Sequence, residues 1–298
     1  YENGTTVSAG WFQGYLRFPS SIDSIAAIGG TDDFDFFIVW IDGNGSVNSA
    51  LNGGSTGFDS IDGIALMPNG DLIVAGSYCL NSDDDQCQLG LGDLMPLQKT
   101  DSVDGGNAFL ARLDSNGSWL WATQIQSSNE LSVLDVMVSK SNEIHLGVLY
   151  QGVLEFNGSD VPGGDESNLL VATYGENGQV LSHRMAQADG GIENRGALCM
   201  DGVGQMYVAI THRGSFRIEG DALESEGDAL ESFGSTDISV ASFSEFGWNW
   251  AISAGGIGAD KAWDCDGKIT SGIHVVGEFS GNASFGSMFT SQSDNVDF

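Results

Sequence analysis

One short phrase recurs five times along this chain and restricts its fold more than any other feature. It reads Thr6-Val7-Ser8-Ala9-Gly10-Trp11-Phe12, Ile73-Val74-Ala75-Gly76-Ser77-Tyr78, Ile144-His145-Leu146-Gly147-Val148-Leu149-Tyr150, Met206-Tyr207-Val208-Ala209-Ile210-Thr211-His212 and Ile273-His274-Val275-Val276-Gly277-Glu278-Phe279. Its closing residues are spaced by 66, 72, 62 and 67. Such a period marks supersecondary units that cannot bury their apolar faces alone and share a core with their neighbours. The 298 residues are therefore read as a single repeat domain, 1–298, with units of approximately 1–54, 55–126, 127–187, 188–254 and 255–298.

Each unit divides into four short strands. An apolar strand (Ile61 to Met67, Val133 to Val138, Gly196 to Met200, Ala262 to Cys265) is followed by a turn such as Pro68-Asn69-Gly70-Asp71 and then by the recurring phrase. Asn-Gly turns between strands make hairpins, hence antiparallel pairs. After a variable loop comes a third strand (Phe36 to Ile41, Ala108 to Leu113, Leu169 to Tyr174, Ile238 to Phe243). Turns opening at Asp42, Asp114, Gly175 and Ser244, spaced 72, 61 and 69 residues apart, lead into the fourth. Glycine pairs (Gly53-Gly54, Gly190-Gly191, Gly255-Gly256) then provide the backbone freedom for a crossover to the next sheet. The pattern predicts an all-β chain: a β-propeller of four-stranded antiparallel blades, about five repeats, with both end blades incomplete. A β-solenoid is the competitor, but it stacks parallel coils, which these hairpin turns oppose.

The phrase from Trp248 to Asp260, Trp-Asn-Trp-Ala-Ile-Ser-Ala-Gly-Gly-Ile-Gly-Ala-Asp, continued by Gly272 to Gly286, resembles the SBBP-type β-propeller repeat of secreted and surface proteins of bacteria and marine archaea. The similarity extends over essentially the whole chain and is best in the second and last repeats. The third departs from it, with Gln187-Ala188 and no tryptophan in its fourth strand. The resemblance implies an extracellular, non-enzymatic scaffold and brings no catalytic residues with it. The ends fall inside repeats, and Asp294 to Phe298 matches the entry to a third strand at Asp32 to Phe36. Two expectations follow, a segment of a longer propeller or open edges that pair with another chain.

Charge excludes several classes of partner. Against 41 Asp and Glu stand 10 Lys and Arg, a net charge of -31. So negative a surface repels nucleic acid and anionic lipid, and no apolar run is long enough to insert in a membrane. With lysine confined to Lys99, Lys140, Lys261 and Lys268, the carboxylates depend on screening by salt, which suits a saline habitat. The expected partners are a protein or glycan surface, or copies of the chain itself.

Cys79 and Cys87 bracket an acidic loop and are expected to form a disulfide, with buried thiols as the alternative. Cys199 and Cys265 occupy the same strand of successive repeats but align one residue out of register, which disfavours a bridge. No cofactor is implied beyond calcium, for which Asp83, Asp84, Asp85, Asp42 and Asp114 are candidate ligands, although solvated turn chemistry is the better account of them. Sequons at Asn3, Asn44, Asn116, Asn157 and Asn282 fall in turns or loops, open to glycans. Trp119, Trp121, Trp248 and Trp250 recur at matched fourth-strand positions, which favours aromatic packing over a sugar platform. Residues Glu219 to Ser225 and Glu226 to Ser232 are a tandem copy, read as a lengthened surface loop.

No catalytic constellation stands out. With so many acids a carboxylate pair is uninformative, and His145 and His274, at matching positions, read as packing residues. The expected role is a non-enzymatic acidic scaffold acting as an adhesive or structural binding module outside the cell. The alternatives are a filament or surface-layer subunit joined by strand exchange, and a polysaccharide hydrolase or lyase.

Overall fold

A computed structural model describes residues 4–18, 24–100, 105–218, 234–285, 288–290 and 296–297. The protein is all-β, with no helix among the described residues. It divides into two compact units, Tyr1–Val133 and Leu134–Phe298.

The first unit holds two larger antiparallel sheets beside the short pairs Tyr15–Leu16 with Ile25–Ala26 and Gln88–Leu89 with Leu97–Gln98. Sheet 1 runs Thr6–Gln13, Phe34–Ile41, Val47–Gly53. Sheet 2 is a four-stranded meander, Phe58–Leu66, Leu72–Leu80, Asn107–Leu113, Trp119–Ser127. In the second unit, sheet 3 runs Leu131–Val138, Ile144–Tyr150, Asn168–Tyr174, Val180–Ala188. Sheet 4 repeats the order with Ile192–Met200, Met206–His212, Asp237–Ser244, Gly247–Gly256. Sheet 5 has Lys261–Gly267, Ile273–Ser280 and Val296–Asp297. Every repeated phrase is thus the second strand of its repeat, sheet 1 having no first strand among the described residues.

Turn chemistry explains why each strand stops where it does. Asp42 Oδ1 accepts the amides of Asn44 and Ser46 at 2.9 and 3.0 Å, and Asp114 Oδ1 accepts those of Asn116 and Ser118 at 2.9 and 2.8 Å. The following Gly45 and Gly117 take φ of 83° and 87°, a left-handed conformation that a side chain would strain. The third and fourth strands of sheets 1 to 4 shift register beside this turn, as expected of a hairpin closing through a left-handed residue.

Burial distinguishes the inner strands from the rest. The second and third strands of sheets 2 and 3 are buried along nearly their whole length, whereas first and fourth strands alternate with solvent. A continuous apolar run marks a strand covered on both faces. In the first unit Phe36 of sheet 1 stacks on Phe109 of sheet 2 at 5.7 Å and meets the edge of Trp119 at 6.3 Å. In the second unit Trp248 of sheet 4 packs on Phe243 at 5.8 Å and donates Nε1–H to the Met185 carbonyl of sheet 3 at 2.9 Å.

The variable loop after the second strand has a structural task the sequence did not reveal. In sheet 4 it supplies Phe216–Ile218, which pairs with the fourth strand of sheet 3. In sheet 5 it supplies Asn282–Ser284, which pairs with Gly255 and Gly256 at the end of sheet 4 and is backed by Met288–Thr290. In sheet 2 the same loop carries Gly90, whose amide reaches the Gly54 carbonyl just beyond sheet 1 at 3.3 Å. Each of these loops latches its own sheet to the one before.

Candidate functional site

All four cysteines are oxidised. Cys79 and Cys87 are bridged, with Cα atoms 6.0 Å apart. Cys199 and Cys265 are bridged too, Cα atoms 5.9 Å apart, so the argument from register fails. The offset persists in the ladders, where Cys199 lies opposite Tyr207 and Cys265 opposite Val275, and the bridge spans it.

Chemically, the sheet junctions are the most unusual places in the molecule. Asp35 opens the third strand of sheet 1, and Asp59 lies in the first strand of sheet 2; both are wholly buried. The Ser55 amide donates to Asp59 Oδ2 at 2.7 Å, the Ser55 hydroxyl contacts both Asp59 oxygens, and the Cys79 amide reaches Oδ1 at 3.0 Å. Asp35 Oδ2 accepts from the Ile28 amide, while its Oδ1 has no protein donor. Burial, together with the charge of the neighbouring carboxylate, raises Asp59 to about 7; burial and the nearby Asp33 raise Asp35 to about 6.

The same device recurs about two hundred residues later. Asp237 opens the third strand of sheet 4, and Asp260 lies just ahead of the first strand of sheet 5. The Gly256 amide bridges them, 3.1 Å from Asp237 Oδ1 and 2.7 Å from Asp260 Oδ2, and the Ser280 amide adds a bond to Asp260 at 3.2 Å. Burial and the adjoining Asp237 raise Asp260 to about 6. His212, paired across the ladder from Asp237, is buried with Nδ1 on the Gly214 carbonyl at 3.2 Å and Nε2 on Ser239 Oγ at 2.9 Å. Each junction is a carboxyl dyad suited to holding one proton between two oxygens. A side-chain carbon at Gly54 would fall on Asp35 Oδ1, and one at Gly255 on Asp237 Oδ1. The glycine pairs thus serve close approach of a carboxylate as much as backbone freedom.

Sheets 2 and 3 open their third strands with Asn107 and Asn168 instead. Asn107 Oδ1 accepts from the Thr100 amide at 2.7 Å and from Gln126 Nε2 at 3.1 Å, and Asn168 Nδ2 donates to the Glu166 carbonyl at 2.9 Å. Sequence reasoning missed the dyads. The available signal was the shared order Asp, Gly-Gly, Asp at 35, 53–54, 59 and 237, 255–256, 260.

The remaining candidates fall into place singly. Asp42 and Asp114 serve their turns, and Asp84 accepts the Gln86 amide at 2.9 Å and the Thr56 hydroxyl at 3.2 Å. Neither they nor Asp83 and Asp85 are gathered into a metal-sized group of three or more His, Cys, Asp or Glu among the described residues. Asn44, Asn116, Asn157 and Asn282 are exposed, the last inside a short strand rather than a loop. Asn3 and the tandem copy 219–232 lie outside the described residues. Trp119 and Trp248 pack between sheets. Trp250 is 39% exposed beside Tyr207, and Trp121 is half-buried. His145 is buried as expected of a packing residue, but His274 is exposed, because sheet 5 leaves that face of its second strand open.

No protein-family model matches this chain, and no curated protein matches it either.

Proposed function

We propose that the chain is an extracellular or cell-surface scaffold of β-propeller type, a non-enzymatic acidic module that presents its turns and latch loops to a protein or glycan surface. The observation that carries this reading is where the buried polar groups are spent. Asp59, Asp71, Asp135 and Asp260 are each bonded to backbone amides or to an internal arginine that builds the sheets. Outward, the molecule offers acidic turns and sequons. Two disulfides fit an oxidising compartment. The antiparallel meanders, with latches from sheet 2 to sheet 1, sheet 4 to sheet 3 and sheet 5 to sheet 4, support blades arranged radially over stacked coils.

The test is adhesion. Beads coated with the protein should bind polysaccharide or cell surfaces, soluble protein should compete, and no sugar should be released. Turnover of a polysaccharide, or failure to bind any surface, overturns the reading. The charge of -31 adds a second measure, since thermal stability should rise between dilute buffer and about 1 M salt, where screening shortens to about 3 Å.

A second reading, assembly through sheet edges, is favoured by one feature of sheet 5. Among the described residues its second strand is paired on the outer side at Phe279 and Ser280. Beside it lies a groove of about 980 Å³ lined by Ile238, Val240, Ile252, Trp263, Val275 and Phe285 among others. Apolar surface beside a strand edge accepts a further strand. Light scattering that grows with protein concentration and is abolished by Val276→Lys supports assembly; a monomer at all concentrations rejects it.

A further inference from the structure

The second unit buries a cation that no carboxylate bonds among the described residues. Arg184, in the fourth strand of sheet 3, is 6% exposed, and His145, in the second strand, is 1% exposed. His145 pairs with Thr173, Thr173 with Ser182, and Val171 with Arg184. Residues two apart in a strand share a face, so His145, Thr173, Ser182 and Arg184 all project from the same side of sheet 3. Phe243 of sheet 4 covers them. The guanidinium carbon lies 4.9 Å from the Phe243 ring centre, and the His145 ring meets that ring edge-on at 6.0 Å.

The bonding is incomplete on the donor side alone. Arg184 Nη2 donates to Ser182 Oγ at 3.3 Å, while Nε and Nη1, both buried, have no acceptor in the protein. His145 Nδ1 meets Thr173 Oγ1 at 3.1 Å, and its buried Nε2 is likewise without a partner. Burial, and then the charge of Arg184, press His145 down to about 4, so the ring is neutral. With the Thr173 hydroxyl donating to Nδ1, the ring hydrogen sits on Nε2. In that tautomer Nε2 joins Arg184 Nε and Nη1 as a third buried N–H with no acceptor among the described residues.

The other paired arginines make the contrast plain. Arg112 is held by Asp71 at 2.7 Å, Arg213 by Glu193 at 2.7 Å and Arg217 by Asp189 at 2.7 Å. Arg184 forms no ion pair among the described residues, in a chain where carboxylates outnumber cations fourfold. Glu143 acts on it only beyond bonding distance, and burial still lowers the guanidinium to about 10; a buried charge so weakly compensated is costly. Water would satisfy the hydrogen bonds but not the charge.

We propose that Arg184 and His145 bind a small inorganic monoanion, chloride in a saline medium, beneath Phe243 at the packing of sheets 3 and 4. A halide suits the site because it needs only donors, and donors are what the site supplies. A protonated oxyanion would also require an acceptor. The bound ion ties the fourth strand of sheet 3 to the core of sheet 4, so stability gains a component specific to chloride and separate from charge screening.

Crystals soaked in bromide and measured at the bromine absorption edge test this directly. The expected result is an anomalous peak within hydrogen-bonding distance of Arg184 Nε or Nη1. Bromide at the surface only, or no peak at Arg184, overturns the proposal. In solution, the chlorine NMR line should broaden with the intact protein and compete away with bromide, and Arg184→Met should weaken binding about ten-fold or more, as loss of a charge-assisted bond implies. Melting in sodium chloride against sodium gluconate at equal concentration should favour chloride in the intact protein and show no preference in Arg184→Met. Equal melting in the two salts for the intact protein also overturns it. The bromide measurement needs no variant, so a substitution that fails to fold leaves the proposal open to refutation.

Discussion

The two dyad junctions share a plan and are secured differently. Between sheets 1 and 2, Asp35 and Asp59 face one another over Ser55 and Gly54, with Tyr78 beneath donating to the Gln98 carbonyl at 2.8 Å. The nearby disulfide, Cys79–Cys87, closes a loop within sheet 2, and Gly90 reaches across to Gly54. Between sheets 4 and 5 the dyad has His212 beside it, Cys199–Cys265 joins the two sheets covalently, and the Gly272 amide reaches Asp201 at 2.8 Å. The difference follows from burial. The second strand of sheet 2 is buried almost throughout, whereas that of sheet 5 is half-exposed. Where the apolar faces contribute less, cross-sheet bonds contribute more.

Removing the disulfides should break the comparison most sharply. A crosslink across a separation of 66 residues stabilises by about 4 kcal/mol in the loop-entropy account, against about 2.5 kcal/mol for a separation of 8. Denaturant unfolding of Cys199→Ala with Cys265→Ala should show the larger loss, and Cys79→Ala with Cys87→Ala the smaller. Equal losses would mean that sheet 5 does not depend on its bridge.

Acidity should separate the junctions next. Asp35, Asp59 and Asp260 are raised to about 6, 7 and 6, against about 3.9 for an unfolded aspartate, so the folded state holds extra protons between those values. Their contribution is complete below pH about 4 and is lost as pH rises through 6 to 7, on the order of 2 to 3 kcal/mol per dyad. His212 acts in the opposite sense. Burial lowers it despite Asp237, so its contribution is present above its unfolded value and fades as pH falls. Melting should therefore decline from pH 5 to 8. Asp35→Asn or Asp237→Asn, copying Asn107 and Asn168, should each flatten part of that slope, and His212→Gln should remove the acid-side loss. A slope unchanged in Asp35→Asn would remove the shared proton from the first junction.

The glycines offer a geometric version of the same test. Gly54→Ala and Gly255→Ala place a methyl where a dyad oxygen sits, and each should cost about 2 kcal/mol, as overpacking does. Combining Gly54→Ala with Asp35→Ala should recover part of the loss, because the competing oxygen is gone.

How much of this was legible in the sequence depended on the range of the interaction. The second strands could be read because Leu72–Leu80, Ile144–Tyr150 and Met206–His212 carry continuous apolar runs at a fixed period, a local signal. The turns were equally plain, since Asp42 and Asp114 cap their own neighbours. The Cys199–Cys265 bridge was hidden because it joins two sheets across a separation of 66 residues, and alignment of one strand with another does not report how the sheets pack. The latch strands escaped notice because Phe216–Ile218 and Asn282–Ser284 are three residues each and gain order only from the sheet they join. Arg184 was invisible as a site, because its oddity is a missing partner, which only packing reveals.

The smallest effect belongs to Trp250, set against its matched neighbour Trp248, and it tests whether the outward ring has a structural role at all. Trp248 is 3% exposed and bonded to Met185, so Trp248→Ala should cost about 3 to 5 kcal/mol. Trp250, two residues on and pointing the other way, touches only the Tyr207 ring among its aromatic neighbours. Trp250→Ala should change stability by about 0.5 kcal/mol or less, the range of surface substitutions. If its loss instead weakens adhesion to glycan while melting is unchanged, the ring belongs to the binding surface. A stability loss comparable to that of Trp248→Ala would show that the outer face of sheet 4 is covered in solution, which is what assembly through the adjoining groove requires.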